Sequence, residues 1–306
     1  MMTAVIDIGS NSIKMRLADI SQNKIKVICD ETEVVKLGRG MTSTGLLSAE
    51  SMKLSCATVS AMVRKARRSG AKIFIAGTMA LRTAANSSDF LKMVKNATGL
   101  DVHVLSGEEG AKYSWLGASD GFKFDGDAVM FDTGGGSTEF VAASFGNVKK
   151  VVSVPIGAVN LSERFFSDTR SPVKKSVCDE AVDYVTELFT KNNIDSFKAK
   201  NVLAVGGGVA AMSGVKNACE NFIPSKLHGT ILTRRDVTRQ MKLYASLNLS
   251  ERENIIGLPR SRADVILGST CIVFSALKIL DAEFCTVSIN GLRHGLLMRD
   301  ETLRDI

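Results

Sequence analysis

The sequence predicts an α/β protein built as two lobes of one topology. Three observations predict it: a length of 306 residues, enough for two domains of ordinary size; short β-type runs alternating with amphipathic stretches; and the same hairpin pattern opening each half. When AVIDIGSNSIKMRLA (residues 4–18) is set over VMFDTGGGSTEFVAA (129–143), Asp7 falls on Asp132, Gly9 on Gly134, Ser12 on Ser137, Ile13 on Thr138 and Lys14 on Glu139. Apolar positions alternate before and after in both copies. The lobes are expected at 1–120 and 121–306, with the stretch ASDGFKFDG (118–126) at their boundary.

Thr3 to Ile8 reads as a strand stopping at Gly9, and Ile13 to Ile28 as two more strands joined by a turn at Ser21, Gln22, Asn23 and Lys24. Ser48 opens a helix whose Met52, Cys56, Val59, Val63 and Ala66 share one face, with Gly70 as its stop. Its last turns carry Arg64, Lys65, Arg67 and Arg68, where the helix dipole favours cations. A strand at 72–76, a helix at 88–98 and a strand at 101–105 complete the first lobe. The second repeats the plan: a hairpin followed by a strand at 149–154, a helix at about 176–191, a strand with a third glycine turn at 202–212, a helix at 263–280 and a closing strand–turn–helix at 285–297.

Composition narrows the chemistry. Hydrophobic residues make up 45%, an ordinary share for a globular protein. No run of 18 apolar residues occurs, and the start MMTAVIDIGSNS lacks a basic segment before an apolar one, so neither a membrane span nor a signal peptide is expected and the chain reads as cytoplasmic. Six scattered cysteines form no CxxC pair and read as reduced thiols. Three histidines leave little material for a Ser/His/Asp triad or a His-rich metal site, so any chemistry should rest on carboxylates. The net charge of +7 favours polyanionic ligands, but the basic clusters lack interleaved aromatics and do not point to specific nucleic-acid binding.

The glycines at 134–136 match neither common phosphate loop. A dinucleotide site needs a helix directly after GxGxxG, whereas FVAASFG alternates like a strand, and no GK[ST] follows for a P-loop. What remains is a hairpin loop whose backbone N–H groups face an anion, helped by the hydroxyls of Ser137 and Thr138. Two such hairpins facing each other across a cleft would form a phosphate clamp. A carboxylate beside phosphate suits Mg²⁺, which makes Asp7 and Asp132 candidate magnesium or water-positioning ligands.

Six motifs in order, IDIGSNSIKM, AGTMALRTAANSSDFL, VLSGEEGAKYSWLGA, MFDTGGGSTEF, VPIGAVNLSERFF and NGLRHGLL, resemble the exopolyphosphatase / guanosine pentaphosphate phosphatase (Ppx/GppA) family of the actin/sugar-kinase/Hsp70-like superfamily. The resemblance covers nearly the whole chain. It implies two ribonuclease-H-like (actin-like) lobes with mixed β-sheets flanked by helices and an active-site cleft between them, without the helical C-terminal domains of longer members. It also implies Mg²⁺-dependent hydrolysis of a terminal phosphoanhydride in polyphosphate or pppGpp, binding of polyphosphate or guanosine penta/tetraphosphate, and a homodimer, which is common in that family. Carried over by position, Gly9, Ser10, Asn11 and Ser12 would hold phosphate, as would Gly134, Gly135, Gly136, Ser137 and Thr138. Arg82 would face the terminal phosphate, and Asp132 and Glu139 would line the site.

One departure stands out. The family motif SG-x-E-E-A carries its proposed catalytic glutamate directly before the alanine, where this chain has Gly110 in Ser106-Gly107-Glu108-Glu109-Gly110-Ala111. Three readings stay open: Glu109 substitutes through a local change, although one residue is about 100° of helix rotation; Glu139 orients water alone; or the chain binds phosphate compounds with little or no turnover.

Overall fold

The chain is described as a computed structural model over residues 1–22, 24–198, 200–221 and 223–298; Asn23, in the turn expected at 21–24, lies outside the described residues. Two compact units result: Met1–Gly117 together with the segment from Leu292, and Ala118–Gly291.

In the first unit, β1 (Met2–Ile8), β2 (Ser12–Ser21) and β3 (Lys24–Val34) form an antiparallel meander. Then come α1 (Met41–Thr44), α2 (Ala49–Arg68), β4 (Lys72–Gly77), α3 (Met79–Thr83), α4 (Ser87–Thr98), β5 (His103–Val104) and α5 (Gly107–Ser119). The sheet order is β3-β2-β1-β4-β5, with β1, β4 and β5 parallel. Helix α2 starts where Ser48 Oγ accepts the Ser51 N–H, as its sequence signal predicts. Its Val59, Val63 and Ala66 pack with Ala4, Ile6 and Ile8 on one face of the sheet. The strand expected at 101–105 shrinks to His103–Val104, since it pairs only with the last two residues of β4 at the sheet edge. β3 runs to Val34, beyond the expected end at Ile28, because β2 supplies ladder partners along its whole length.

The second unit contains β6 (Asp127–Thr133), β7 (Thr138–Ser144), β8 (Asn147–Val154), α6 (Ala158–Phe165), α7 (Lys175–Lys191), β9 (Asn201–Val205), α8 (Gly207–Lys216), β10 (Ile231–Thr233), α9 (Arg234–Ala245), α10 (Leu249–Arg252), α11 (Ile266–Ile279) and β11 (Phe284–Val287). Its order, β10-β11-β9-β6-β7-β8, repeats the first unit's sheet with one strand added. Helix α11 is apolar nearly all round and correspondingly buried, packing with Phe131, Phe140 and Phe189 in the unit's core. It begins at Ile266, not 263, because Arg260–Arg262 form a short 3₁₀ turn ahead of it.

The duplication extends to hydrogen-bond register. Asp7 pairs with Lys14 across the first hairpin and Asp132 with Glu139 across the second. The turns close alike, Gly9 N–H to Ser12 O at 3.1 Å and Gly134 N–H to Ser137 O at 2.9 Å. The next strand pair carries a bulge at corresponding places, Leu17/Ala18 and Ala142/Ala143.

The observed division departs from the expected 1–120 and 121–306 at the chain's end. Helix α12 (Leu292–Met298) lays Leu296 and Leu297 against Val5, Ala18, Phe74 and Ala76, covering the second face of the first unit's sheet. Burial of that apolar face is the physical reason the segment joins the first unit. Arg293 Nη1 donates to Asp30 Oδ1 and, at 3.2 Å, to Met15 O, while the buried Arg16 holds Asp30 Oδ2 through Nε (2.9 Å) and Nη2 (2.6 Å). Burial pushes the Asp30 carboxyl up, but the Arg293 and Arg16 guanidiniums outweigh it and hold the group below the usual carboxylate range.

Two outcomes are expected. A Cβ on Gly295 would overlap the Tyr113 carbonyl oxygen, so Gly295→Ala should lower stability in a denaturant titration by about 2–3 kcal/mol through overpacking, and an unchanged midpoint would contradict this docking. Because the folded-state pKa of Asp30 is depressed, its contribution is present above the ordinary carboxylate range and lost as pH falls through the folded value. Asp30→Asn should therefore destabilise at pH 7 by about 2 kcal/mol, leaving Arg16 poorly paired, and the gap from wild type should close in acid.

Candidate functional site

In the first unit, the parallel strands β1, β4 and β5 end at one edge of the sheet, and the sequence-predicted residues gather there. The loop Gly9–Asn11 follows β1, Arg82 sits on α3 just past β4, and Ser106 to Glu109 follow β5. Backbone bonds tie these ends together: Thr78 N–H to Ile8 O at 3.1 Å, Leu105 N–H to Gly77 O at 2.9 Å, and Arg82 Nη1 to Leu105 O at 3.0 Å.

A trans peptide points its carbonyl and the following N–H in opposite directions. The Ser10 carbonyl accepts the Gly38 N–H at 2.7 Å, and the Asn11 carbonyl accepts Val35 and Lys36 N–H at 3.1 and 2.9 Å. The Asn11 N–H is thereby turned away from residues 35–38, and among the described residues neither it nor the Ser10 N–H has an acceptor. Lys36 takes a left-handed conformation (φ 51°) to deliver these bonds. The side chains tell the same story: Asp7, Ser10, Asn11 and Ser12 are buried, yet Asp7 Oδ1 and both polar atoms of the Asn11 amide have no partner. Burial raises the Asp7 carboxyl above its ordinary range, outweighing the opposing charges of Lys14 and Arg293.

Glu109 has another occupation. Its Oε2 accepts the Ser106 N–H at 2.9 Å while its own N–H donates to Ser106 Oγ at 3.1 Å, the reciprocal bonds of a capping box at the start of α5. The Ser106 backbone N–H, seconded by its hydroxyl, holds this exposed carboxyl below the usual range. Gly110 stands beside it with open space where a side chain would begin.

In the second unit, β6, β9 and β11 likewise end together, bringing the loop 134–137 beside the glycine turn at Gly206. The Gly134 and Gly135 carbonyls accept the Ala158 and Val159 N–H groups at the start of α6, at 3.0 and 2.7 Å. Such close approach requires Gly157, since a Cβ there would overlap the Gly136 nitrogen. The N–H groups of Gly135, Gly136 and Ser137 have no acceptor among the described residues. Ser137 is buried at the loop, whereas Thr138 Oγ1 donates to Ile156 O at 2.6 Å, so its hydroxyl braces the hairpin. Asp132 and Glu139 are half-buried neighbours across the hairpin, and Glu139 Oε1 accepts a hydrogen bond from Ser153 Oγ at 2.9 Å. The braces at 35–38 and 157–159 lie outside the sequence expectations; the one local sign is the glycine of IGAVN directly before a helix start, a mark of close packing.

The sequence profile of the Ppx/GppA phosphatase family matches residues 17–303. A bifunctional 3-dehydroquinate synthase/phosphatase of Fusobacterium nucleatum is 28% identical over 96% of this chain and 46% of its own length. A guanosine-5'-triphosphate,3'-diphosphate pyrophosphatase of Photobacterium profundum is 26% identical over 96% of this chain and 58% of its own. The chain thus spans about half the length of these relatives. The solved PPX-GPPA enzyme of Aquifex aeolicus superposes with a TM-score of 0.80 at 28% identity, covering 97% of this chain and 99% of that one, and supports the predicted class of two actin-like lobes with mixed sheets. With its duplicated hairpins, outward-turned loop amides and this match over nearly its whole length, the chain belongs to the Ppx/GppA phosphatase family.

Proposed function

We propose that the chain hydrolyses the terminal phosphoanhydride of a phosphate chain, inorganic polyphosphate or pppGpp, with Mg²⁺. The observation that carries the reading is the unsatisfied polar lining of the first loop: a buried amide and a buried carboxylate oxygen without partners, beside two backbone N–H groups without acceptors. Each such group costs about 1–3 kcal/mol when left unpaired, which favours a ligand that completes them. Phosphate oxygens suit the N–H groups and the Asn11 amide. A cation suits Asp7 Oδ1. The name of the Photobacterium relative supports the nucleotide among the two substrates.

Asp7 and Asp132 are the carboxylates proposed to hold Mg²⁺, which when bound would neutralise charge on phosphate oxygens. Among the described residues no three His, Cys, Asp or Glu side chains group into a metal cage, and one or two carboxylates completed by phosphate oxygens and water is an ordinary magnesium arrangement. Phosphoryl transfer asks mainly for positioning and charge stabilisation, which outward loop amides and Arg82 would supply. Glu139, oriented by Ser153, would place the attacking water. A second reading, a phosphate-binding protein with little turnover, is favoured by Gly110 and by the engagement of Glu109 as a helix cap.

Phosphate release from long-chain polyphosphate and from pppGpp, measured with Mg²⁺, decides between the two. Wild type should turn over, Glu139→Ala should lose about 10²–10⁴-fold in kcat, and Gly110→Glu, whose Cβ meets open space, should gain. A silent wild type beside an active Gly110→Glu variant would leave the binding reading. Stability supplies a separate check on Asp7. Its folded-state pKa is raised, so its burial penalty is absent below the ordinary carboxylate range and grows as pH rises through the folded value. Asp7→Asn should therefore melt higher than wild type at pH 8 without ligand, by about 1–2 kcal/mol of stability, lose that advantage in acid, and fail to release phosphate.

A further inference from the structure

The Gly134–Ser137 loop has three peptides whose N–H groups face away from α6, but the start of the helix can hold only two of them with backbone donors. Ala158 N–H takes the Gly134 carbonyl and Val159 N–H takes that of Gly135. The next helix N–H, of Asn160, points again at Gly135 O, at 3.4 Å, and that of Leu161 closes the first helical turn on Gly157 O at 3.1 Å. The Gly136 carbonyl is held instead by a side chain, Asn160 Nδ2 at 3.0 Å. That carbonyl belongs to the same peptide as the Ser137 N–H.

We infer that Asn160 is a positioning residue for the anion loop: its amide nitrogen holds the Gly136–Ser137 peptide so that the Ser137 N–H is presented to the ligand. The inference rests on the reading of this loop as a phosphate site. The amide's orientation is set by its neighbours. Oδ1 accepts the Gly157 N–H at 2.7 Å, a group that can only donate, while Nδ2 faces two carbonyls, Gly136 at 3.0 Å and Pro155 at 3.3 Å. One side chain therefore does two separable things: the oxygen caps α6, and the nitrogen braces the loop. In the first unit the loop carbonyls of Ser10 and Asn11 are met by the backbone N–H groups of Gly38, Val35 and Lys36. In the second unit a single substitution can therefore release a loop peptide while leaving the main chain as it is.

The two roles come apart in a pair of variants. Asn160→Asp keeps an oxygen for the Gly157 N–H, in a position where the helix dipole favours a carboxylate, but presents no donor to Gly136 O. Asn160→Ala removes both and adds no charge. Inorganic triphosphate is titrated calorimetrically in 0.5 M salt, which screens the added carboxylate over roughly 4 Å, and the ligand-free proteins are melted in parallel. Both variants should bind triphosphate about tenfold more weakly than wild type, the weight of one good hydrogen bond to an anion. Asn160→Asp should melt lower than wild type, because a carboxylate oxygen then faces the Gly136 and Pro155 carbonyls, and Asn160→Ala should melt lower still through loss of the cap as well. Binding within twofold of wild type by either variant, with the melting loss confined to Asn160→Ala, would make Asn160 a helix cap and overturn the inference. A wild type that does not bind triphosphate sinks the phosphate reading of the loop, and the Ser137 amide resonance then tests the brace alone. A shift or broadening in Asn160→Asp supports it, and an unmoved resonance overturns it.

Discussion

The opposed directions of carbonyl and N–H in a trans peptide govern how this chain turns the backbone donors of its two hairpin loops. A tight loop of bare peptides has no intrinsic reason to turn its donors one way. In both units the decision is taken by a second segment that binds the loop's carbonyls, residues 35–38 in the first and the start of α6 in the second. Much else follows from this. Gly157 must lack a side chain so that the helix start can reach the loop, and Lys36 accepts a left-handed backbone so that two successive N–H groups converge on one carbonyl. The first N–H groups of α6 are taken by the loop carbonyls, and under the proposed reading the helix polarity would reach the ligand through these oriented peptides.

The duplicated frame has diverged at the position where chemistry would occur. The same cross-strand pair is Asp7 with Lys14 in one copy and Asp132 with Glu139 in the other, so register is kept while the second member changes sign. Their surroundings differ accordingly. Asp7 is buried and its carboxyl is pushed upward, conditions under which an added cation is stabilising. Glu139 is half-buried and takes a hydrogen bond from Ser153, conditions that keep a carboxylate aimed. Under the proposed reading the first copy leans toward holding charge and the second toward orienting water.

Local signals made much of this legible in the sequence. The Ser48 cap, the apolar face of α2 and the paired hairpins each depend on neighbours a few residues away, and each stands where expected. What escaped depends on distant partners. Leu296 and Leu297 belong to the first unit because Val5, Phe74 and Ala76 need covering, a requirement nothing near residue 296 encodes. The braces were hidden for a similar reason: a backbone N–H that fixes a loop carries no residue type. The pairing of the buried Arg16 with Asp30, which Arg293 also holds, likewise joins residues far apart in the chain.

Glu109 shows how one pattern can carry two meanings. Ser106-Gly-Glu-Glu109 is at once the start of a family motif and the S-x-x-E signature of a capping box, and the side chain meets the second demand. A carboxylate aimed at the Ser106 N–H is stabilised in its ionised form, and the same stabilisation makes it a poorer proton acceptor. Moving it to the neighbouring role would forfeit the cap and still require about 100° of rotation about the helix axis. A glycine in the first turn of α5 leaves the missing carboxylate unreplaced from its own helix. Under the proposed reading Glu139 is the carboxylate that places the water, and it accepts a hydrogen bond from Ser153 on the adjacent strand.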